Sequence, residues 1–143
     1  MITVSEIMSD QVIKLTSTDT VSTAKEIMRT EGIRHIPIVD EHSLPIGLIT
    51  QRDILRVQDS DLAANNIPAI DEKSVLVEQI MSRKIASVHP GDSLRSAGIR
   101  MQKNKYGCLP VIQENQLVGI ITDTDFVGVA IDLIEQMELH EDF

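Results

Sequence analysis

The chain contains one sequence unit twice, and this duplication restricts its fold more than any other feature. When the sequence is shifted by 73 positions, Met8 falls on Met81 and Pro37 falls on Pro110. After the loss of one residue in a turn, the segments "GLITQRD" and "GIITDTD" align in the same way. Self-similarity of this kind indicates two copies of one structural unit. We place the copies at residues 1–57 and 77–132, joined by a linker at 58–76 and followed by a C-terminal helical tail at 133–143.

The apolar pattern changes along each copy and predicts a β-α-β-β-α unit. In the first copy, "TDTVSTAKEIMRTEG" has helical spacing, with Thr18 or Asp19 as its cap and Gly32 as its end. The β-branched runs "HIPIVD" and "IGLIT" predict two neighbouring strands, after which a helical pattern resumes. A short extended segment, "VIKLT" in the first copy and "IASVH" in the second, comes before the first helix. The linker is interrupted by Pro68 and has room for one short helix.

A single unit of this size is too small to bury the apolar face of its own sheet well. Two copies that face each other solve this problem. The expected fold class is therefore α/β (α+β), with two pseudo-symmetric β-α-β-β-α units packed sheet to sheet and a cleft where the sheets meet.

The composition excludes several classes of protein. Lys and Arg total 13 against 22 Asp and Glu, and the resulting net charge of −9 repels nucleic acid and anionic membranes. Cys108 is the only cysteine and the four histidines lack metal-ligand spacing, so we expect no disulfide and no metal site. No apolar run is long enough for a bilayer and the first residues do not resemble a signal peptide, so a cytoplasmic location is expected. Because we find no nucleophile–base pair and no phosphate loop, we expect no enzymatic activity.

The repeated Thr-x-x-Asp segments, Thr50 to Asp53 and Thr122 to Asp125, have two interpretations. In the first, the threonine caps the following helix and the aspartate completes a capping box. In the second, the same helix N-terminus binds a ligand, because it attracts phosphate and an ionised aspartate accepts hydrogen bonds from both ribose hydroxyls. Both roles can coexist, and repetition of the whole element favours the second.

Taken together, these segments resemble tandem cystathionine β-synthase (CBS) domains, also called a Bateman module. The matching pieces are "SEIMSDQVIKLTSTDTV", "RHIPIVD" and "GLITQRDIL" in the first copy, and "VEQIMSRKIASVHPGDSL", "GCLPVIQ" and "GIITDTDF" in the second. The resemblance covers nearly the whole chain. The chain is similar to a stand-alone pair such as the CBS part of acetoin-utilisation regulators. It implies a regulatory module that binds AMP, ADP, ATP, S-adenosylmethionine or NAD between the two units. The resemblance implies no required cofactor.

The resemblance also implies which residues bind ligands, with each site drawing on both copies. The first site would comprise Thr16, Ile33, Arg34, Ile36, Pro37, Thr122 and Asp125. The second site would comprise Thr50, Asp53, His89, Tyr106, Leu109 and Pro110. In each site the aspartate would hold the ribose while residues of the other copy contact the adenine.

The two sites differ in charge. Arg34 is either a phosphate ligand or an exposed cation at the edge of a strand, whereas Gly107 takes its place in the second copy. Asp123 adds negative charge beside Asp125, which would weaken polyphosphate binding there or call for Mg²⁺ to bridge it. Cys108 is expected to be a small buried apolar residue.

The expected partners are a small adenosine ligand, a second copy of the chain and an effector protein. Resembling modules form homodimers of four units, and the sequence offers apolar residues late in each copy for such an interface. These residues are Ile54, Leu55, Phe126, Val127 and Ile131. The alternative function is a ligand-free dimerisation or assembly domain that acts through protein–protein contacts.

Overall fold

The computed structural model describes residues 1–63 and 73–141, and the middle of the expected linker, which includes Pro68, lies outside them. The helices are α1 (Val4–Ile7), α2 (Val21–Glu31), α3 (Gln51–Ala63), α4 (Leu94–Asn104) and α5 (Asp123–Glu141), with a 3₁₀ turn at Val77–Gln79. The strands are β1 (Leu15–Thr16), β2 (His35–Val39), β3 (Pro45–Thr50), β4 (Cys108–Gln113) and β5 (Gln116–Thr122). Helix α3 thus continues into the segment that the sequence assigned to the linker.

The chain forms two compact units, which we name after the aspartate of each Thr-x-x-Asp segment. The Asp53 unit consists of Ile13–Ala86 with Glu114–Leu117. The Asp125 unit consists of Met1–Val12, Ser87–Gln113 and Val118–Phe143. The boundaries of these units differ from those of the sequence copies.

The sheet of the Asp53 unit has the order β1-β2-β3, with β1 parallel and β3 antiparallel to β2. In the Asp125 unit, β4 pairs with β5, and the expected leading strand is reduced to one parallel bridge between Val88 and Val111. The two predicted neighbouring strands are therefore present in both copies. The short leading strand is regular only in the first.

In each copy, the helix before the two paired strands (α2 or α4) has a side-chain cap at its N-terminus and a backbone cap at its C-terminus. The Oγ1 atom of Thr20 accepts the backbone N–H of Thr23 at 3.2 Å, so α2 begins one or two residues later than the sequence predicted. The expectation of Thr18 or Asp19 as the cap was wrong, because the Asp19 carboxylate instead accepts the Thr16 N–H in the preceding turn. The helix ends at Gly32 as predicted, with the left-handed φ of 65° that glycine adopts without strain.

Each unit is completed by the segment that leads the other copy. In the Asp53 unit, Ser82 forms an antiparallel bridge with Leu48 and Val77 is fully buried in the core. In the Asp125 unit, Ser9 forms the equivalent bridge with Ile120, and Val4 is fully buried. The two copies therefore exchange their leading segments.

The repeated glycine of "GLIT" and "GIIT" makes room for an exchanged methionine. A Cβ at Gly47 would overlap the Met81 sulfur, and a Cβ at Gly119 would lie 2.5 Å from the Met8 sulfur. Real Cβ atoms do not approach other atoms this closely. Both glycines are thus explained by packing within the protein.

One residue of the expected dimer interface is part of the core instead. Ile54 is only 3% exposed and packs in the core cluster of the Asp53 unit, so its assignment to the surface was wrong. In helix α3, position 54 faces the sheet, while its neighbour Leu55 is 51% exposed. Phe126 is half-buried with its ring against Gly98, whereas Val127 and Ile131 are exposed as expected.

Candidate functional site

The Asp53 unit has a closed strand–helix junction at residues 50–53, which we call the Asp53 junction. The Oδ2 atom of Asp53 accepts the Thr50 backbone N–H at 2.9 Å, and Thr50 Oγ1 accepts the Asp53 N–H at 3.1 Å. Both residues are partly buried. This reciprocal pair is a capping box, so the structural interpretation of Thr-x-x-Asp is correct at this junction.

Residues 122–125 form the corresponding Asp125 junction of the other unit. Asp125 Oδ2 accepts the Thr122 N–H at 2.8 Å and the Thr122 hydroxyl at 3.2 Å, while Thr122 Oγ1 accepts the Asp125 N–H at 3.3 Å. The repeated segment therefore builds the same cap twice.

The cap occupies only one oxygen of each carboxylate. Among the described residues, neither Asp53 nor Asp125 makes a hydrogen bond through its Oδ1 atom. An ionised carboxylate has acceptor capacity at both oxygens, so the second oxygen can receive a ligand hydroxyl while the first caps the helix. The capping and ligand interpretations are thus compatible at the level of individual atoms.

The beginning of the central strand lies beside each junction. His35 pairs with Thr50 across the sheet, and the Gln51 N–H donates to the Arg34 carbonyl at 3.0 Å. In the other unit, the Asp123 N–H donates to the Gly107 carbonyl at 3.0 Å. The exposed Arg34 and the partly exposed Ile33 therefore lie at the same end of the sheet as the Asp53 junction, and the 40% exposed Tyr106 lies at the end near the Asp125 junction.

Four of the predicted site residues are packed inside the protein. Ile36 and Pro37 in β2 and Leu109 and Pro110 in β4 each have less than 2% exposure. Their side chains form the core beneath the two junctions. The contact of these residues with adenine remains a prediction.

Thr16 lies beside the far end of β2, and His89 directly follows the single bridge between Val88 and Val111. Thr16 pairs with Val39, four residues after His35, which is roughly 13 Å along an extended strand. The Thr16 N–H donates to Asp19 Oδ2 at 2.8 Å, and in the same way the His89 N–H donates to Asp92 Oδ2 at 2.8 Å. The structure therefore does not bring Thr16 next to Ile33, or His89 next to Tyr106.

Sequence reasoning missed these two turns as a second repeated element. "TSTD" at residues 16–19 has the same Thr-x-x-Asp spacing as the junctions, and His89 replaces the threonine in the second copy. The His89 Nδ1 atom accepts the Gly91 N–H at 3.0 Å, which assigns the proton of the neutral ring to Nε2.

Cys108 behaves as the sequence predicted, as a buried apolar residue. Burial, together with the smaller effect of the negative charge of Asp123, raises the pKa of its thiol to about 12. The thiolate is therefore scarce at neutral pH, and Cys108 is unsuited to nucleophilic or redox chemistry.

Within residues 1–63 and 73–141, no group of three His, Cys, Asp or Glu side chains is arranged to hold a metal ion. None of the helices in this described part is long and apolar enough to cross a membrane.

Comparison with known proteins identifies the family of the chain. The sequence profile of the CBS domain matches residues 4–60 and 77–132, which are most of the chain. The Vibrio cholerae chain called AcuB, named for acetoin utilization, is 40% identical, and the match covers 96% of each chain with a TM-score of 0.82.

Three further relatives extend the comparison. The CBS domain pair of protein MJ0100, solved in complex with 5′-methylthioadenosine and S-adenosyl-L-methionine, is 29% identical with a TM-score of 0.75, over 90% of this chain and 95% of that one. Protein MJ1225 of Methanocaldococcus jannaschii is 35% identical over 87% of this chain, which spans 41% of that relative. The chain spans only 23% of a matching homoserine O-acetyltransferase of Methanococcoides burtonii.

The duplicated helix cap, the two small sheets and these matches agree: the chain belongs to the CBS domain family and contains a pair of CBS domains.

Proposed function

We propose that this CBS pair is a regulatory module that binds adenosine-containing ligands, with AMP, ADP, ATP and S-adenosylmethionine as candidates. The observation that carries the proposal is the presence in both units of an aspartate whose Oδ1 atom is not used by the helix cap. The complex of the related MJ0100 pair with two adenosine derivatives supports the same ligand class.

Each ligand would meet residues of both copies, as the resemblance implies. Asp125 and Thr122 would hold one ribose and Asp53 and Thr50 the other, with the remaining residues of the two predicted sites around the base. A vicinal diol suits this role, since a half-buried carboxylate oxygen accepts hydroxyl protons strongly. Mg²⁺ would be needed only to bridge a polyphosphate to these carboxylates.

A thermal shift assay followed by calorimetric titration tests the proposal. We expect AMP, ATP or S-adenosylmethionine to raise the melting temperature, because a ligand at one hundred times its Kd adds about 2.7 kcal/mol to the unfolding free energy. GMP is the matched control for the base. Absence of binding by every adenosine compound would overturn the proposal and leave the junctions as helix caps.

We also propose that the module acts as a homodimer. Leu55 and Val127 occupy equivalent positions in the two copies and are 51% and 56% exposed. In the Asp53 unit, a groove of about 450 Å³ lies between α2 and α3 next to Leu55. Exposed apolar side chains of this size at paired positions are typical of a self-complementary interface. An effector protein would read the ligand through this dimer.

A further inference from the structure

We propose that the C-terminal part of α5 in one chain binds the exposed face of α4 in a second copy, which returns the same contact. We call residues 130–141 the α5 tail, and the surface formed by Arg95, Ile99 and Lys103 the α4 face. Both belong to the Asp125 unit. This inference rests on the homodimer of the proposed function, for which it names a contact, and it does not depend on adenosine binding.

The α5 tail leaves the apolar side of its helix uncovered. Val129 is partly buried, and Leu133 and Met137 continue its side of the helix at intervals of four residues. Yet every residue from 130 to 141 is exposed, including Ile134 beside them. An apolar stripe therefore runs along the tail without cover from the described part of its own chain.

This stripe needs a partner for a physical reason. Isolated helices shorter than about 12–15 residues are marginal in water, and most helical stability in proteins comes from the packing of an apolar side. Contiguous exposed apolar surface of this kind is typical of an interaction site.

The charge of the tail decides which partner fits. Its sequence contains no Lys or Arg, and its carboxylates are Asp132, Glu135, Glu138 and Glu141. The last two lie one turn after members of the apolar stripe and therefore on its side, whereas the first two lie on the other side of the helix. Two tails packed on each other would bring like charges together, so charge opposes a tail–tail contact and favours a basic surface.

The α4 face is such a surface. Helix α4 carries Arg95, Arg100 and Lys103 and no acidic residue, in a chain whose net charge is −9. Ile99 is 47% exposed, and Arg95 and Lys103 lie one turn before it and one turn after it on the same exposed side. The α4 face thus has an apolar centre with positive charge at both ends, which complements the apolar and acidic tail.

A second copy supplies both surfaces at once. Within one chain the tail and the α4 face are both exposed, so neither covers the other. In a dimer with a twofold axis, each tail meets the α4 face of the other chain and the contact forms twice.

Charge reversal followed by mixing tests this contact by sedimentation equilibrium. Arg95→Glu/Lys103→Glu makes the α4 face acidic, and Glu138→Lys/Glu141→Lys makes the tail basic. Each variant alone should raise the dimer dissociation constant about tenfold or more, because attraction becomes repulsion in both copies of the contact. An equimolar mixture of the two variants should regain the wild-type affinity, since each tail then meets a face of opposite charge.

Two control variants make the same charge changes elsewhere. Asp132→Lys/Glu135→Lys alters the other side of the tail and should not weaken the dimer. Arg83→Glu/Lys84→Glu alters exposed residues of the Asp53 unit and should not weaken it either. All substituted side chains are exposed, and denaturant unfolding checks that each variant is folded.

The outcomes separate this inference from the proposals on which it builds. If the wild-type chain dimerises but the reversed variants dimerise equally well, or if mixing does not restore the affinity that they lose, the tail contact is overturned and the homodimer stands. A monomeric wild-type chain would overturn both. Titration with adenosine compounds tests ligand binding independently of either result.

Discussion

The side chain of Met81 occupies the space that a Cβ atom on Gly47 would fill. Met81 belongs to the second sequence copy and Gly47 to the first, and both lie in the Asp53 unit. This contact therefore secures the exchanged segment to the sheet that it completes.

Gly47→Ala should lower the free energy of unfolding by about 1–3 kcal/mol, because the new methyl group forces the Met81 side chain out of its place. Denaturant unfolding measures the change. In Gly47→Ala/Met81→Ala the two costs should not add, since the second substitution removes the overlap. Gly128→Ala is the matched control: in the described part of the chain no atom outside its own helix lies within 4 Å of a Cβ at that position, and alanine should stabilise the helix by about 0.5–1 kcal/mol. Equal destabilisation at residues 47 and 128 would contradict the packing argument.

The two junction aspartates should separate stability from binding. Asp53→Asn and Asp125→Asn keep an oxygen for the cap, so each should lower the unfolding free energy by only a few tenths to about 1 kcal/mol. Loss of the charged acceptor should cost about 1.5–3 kcal/mol of ligand binding, which is roughly tenfold to over a hundredfold in affinity. Titration with AMP and S-adenosylmethionine measures this loss. Unchanged affinity in both variants would show that the repeated segments are caps alone.

Leu55→Lys and Val127→Lys should each shift the chain from dimer to monomer in sedimentation at micromolar concentration, because a buried ammonium group is costly. The unfolding free energy of the monomer should change little, since both side chains are half exposed. Gln113→Lys, which adds the same charge at an exposed position of β4, should leave the dimer intact. A monomeric wild-type chain would refute the dimer proposal.

The C-terminal part of α5 provides a separate test of assembly. Ile131, Ile134 and Met137 lie at helical spacing and are 50%, 52% and 64% exposed, and none of the α5 residues whose burial is described is buried. Ending the chain after Gln136 should therefore weaken the dimer or an effector contact without changing the stability of the monomer. If neither the sedimentation mass nor the stability changes, residues 137–143 are a solvated end.

Cys108 should make stability depend on alkaline pH. Its pKa is raised from 9.0 to about 12 in the folded chain, so the unfolded chain loses this proton first and stability falls as pH rises from about 9 towards 12. At pH 10 the loss should be about 1.4 kcal/mol relative to neutral pH. Cys108→Ala lacks this contribution, and the difference between its pH profile and that of the wild type isolates it. Parallel pH profiles of the two proteins would mean that folding does not raise the pKa of the Cys108 thiol.

The sequence predicted the strand pairs, the Gly32 helix end and the junction caps because each depends on residues close together in the chain. His35 pairs with Thr50 inside one copy, and Asp53 caps a helix three residues from its partner. Ile54 was misplaced because a short apolar pattern does not reveal which face of a helix meets the sheet. The exchange of Met8 and Met81 was not predictable, since two similar copies offer similar binding surfaces to either leading segment.

The exchange of leading segments also constrains how such a chain could arise. A protein made of one copy would have a sheet without the leading segment that completes it. Its own leading segment would instead fit the sheet of a second molecule. Two such molecules would complete each other only at sufficient concentration, as an intertwined pair. Joining them in one polypeptide replaces that bimolecular step by an intramolecular one, with an effective concentration set by the connecting residues. In the fused chain, pairing of the two copies would therefore not depend on the protein concentration.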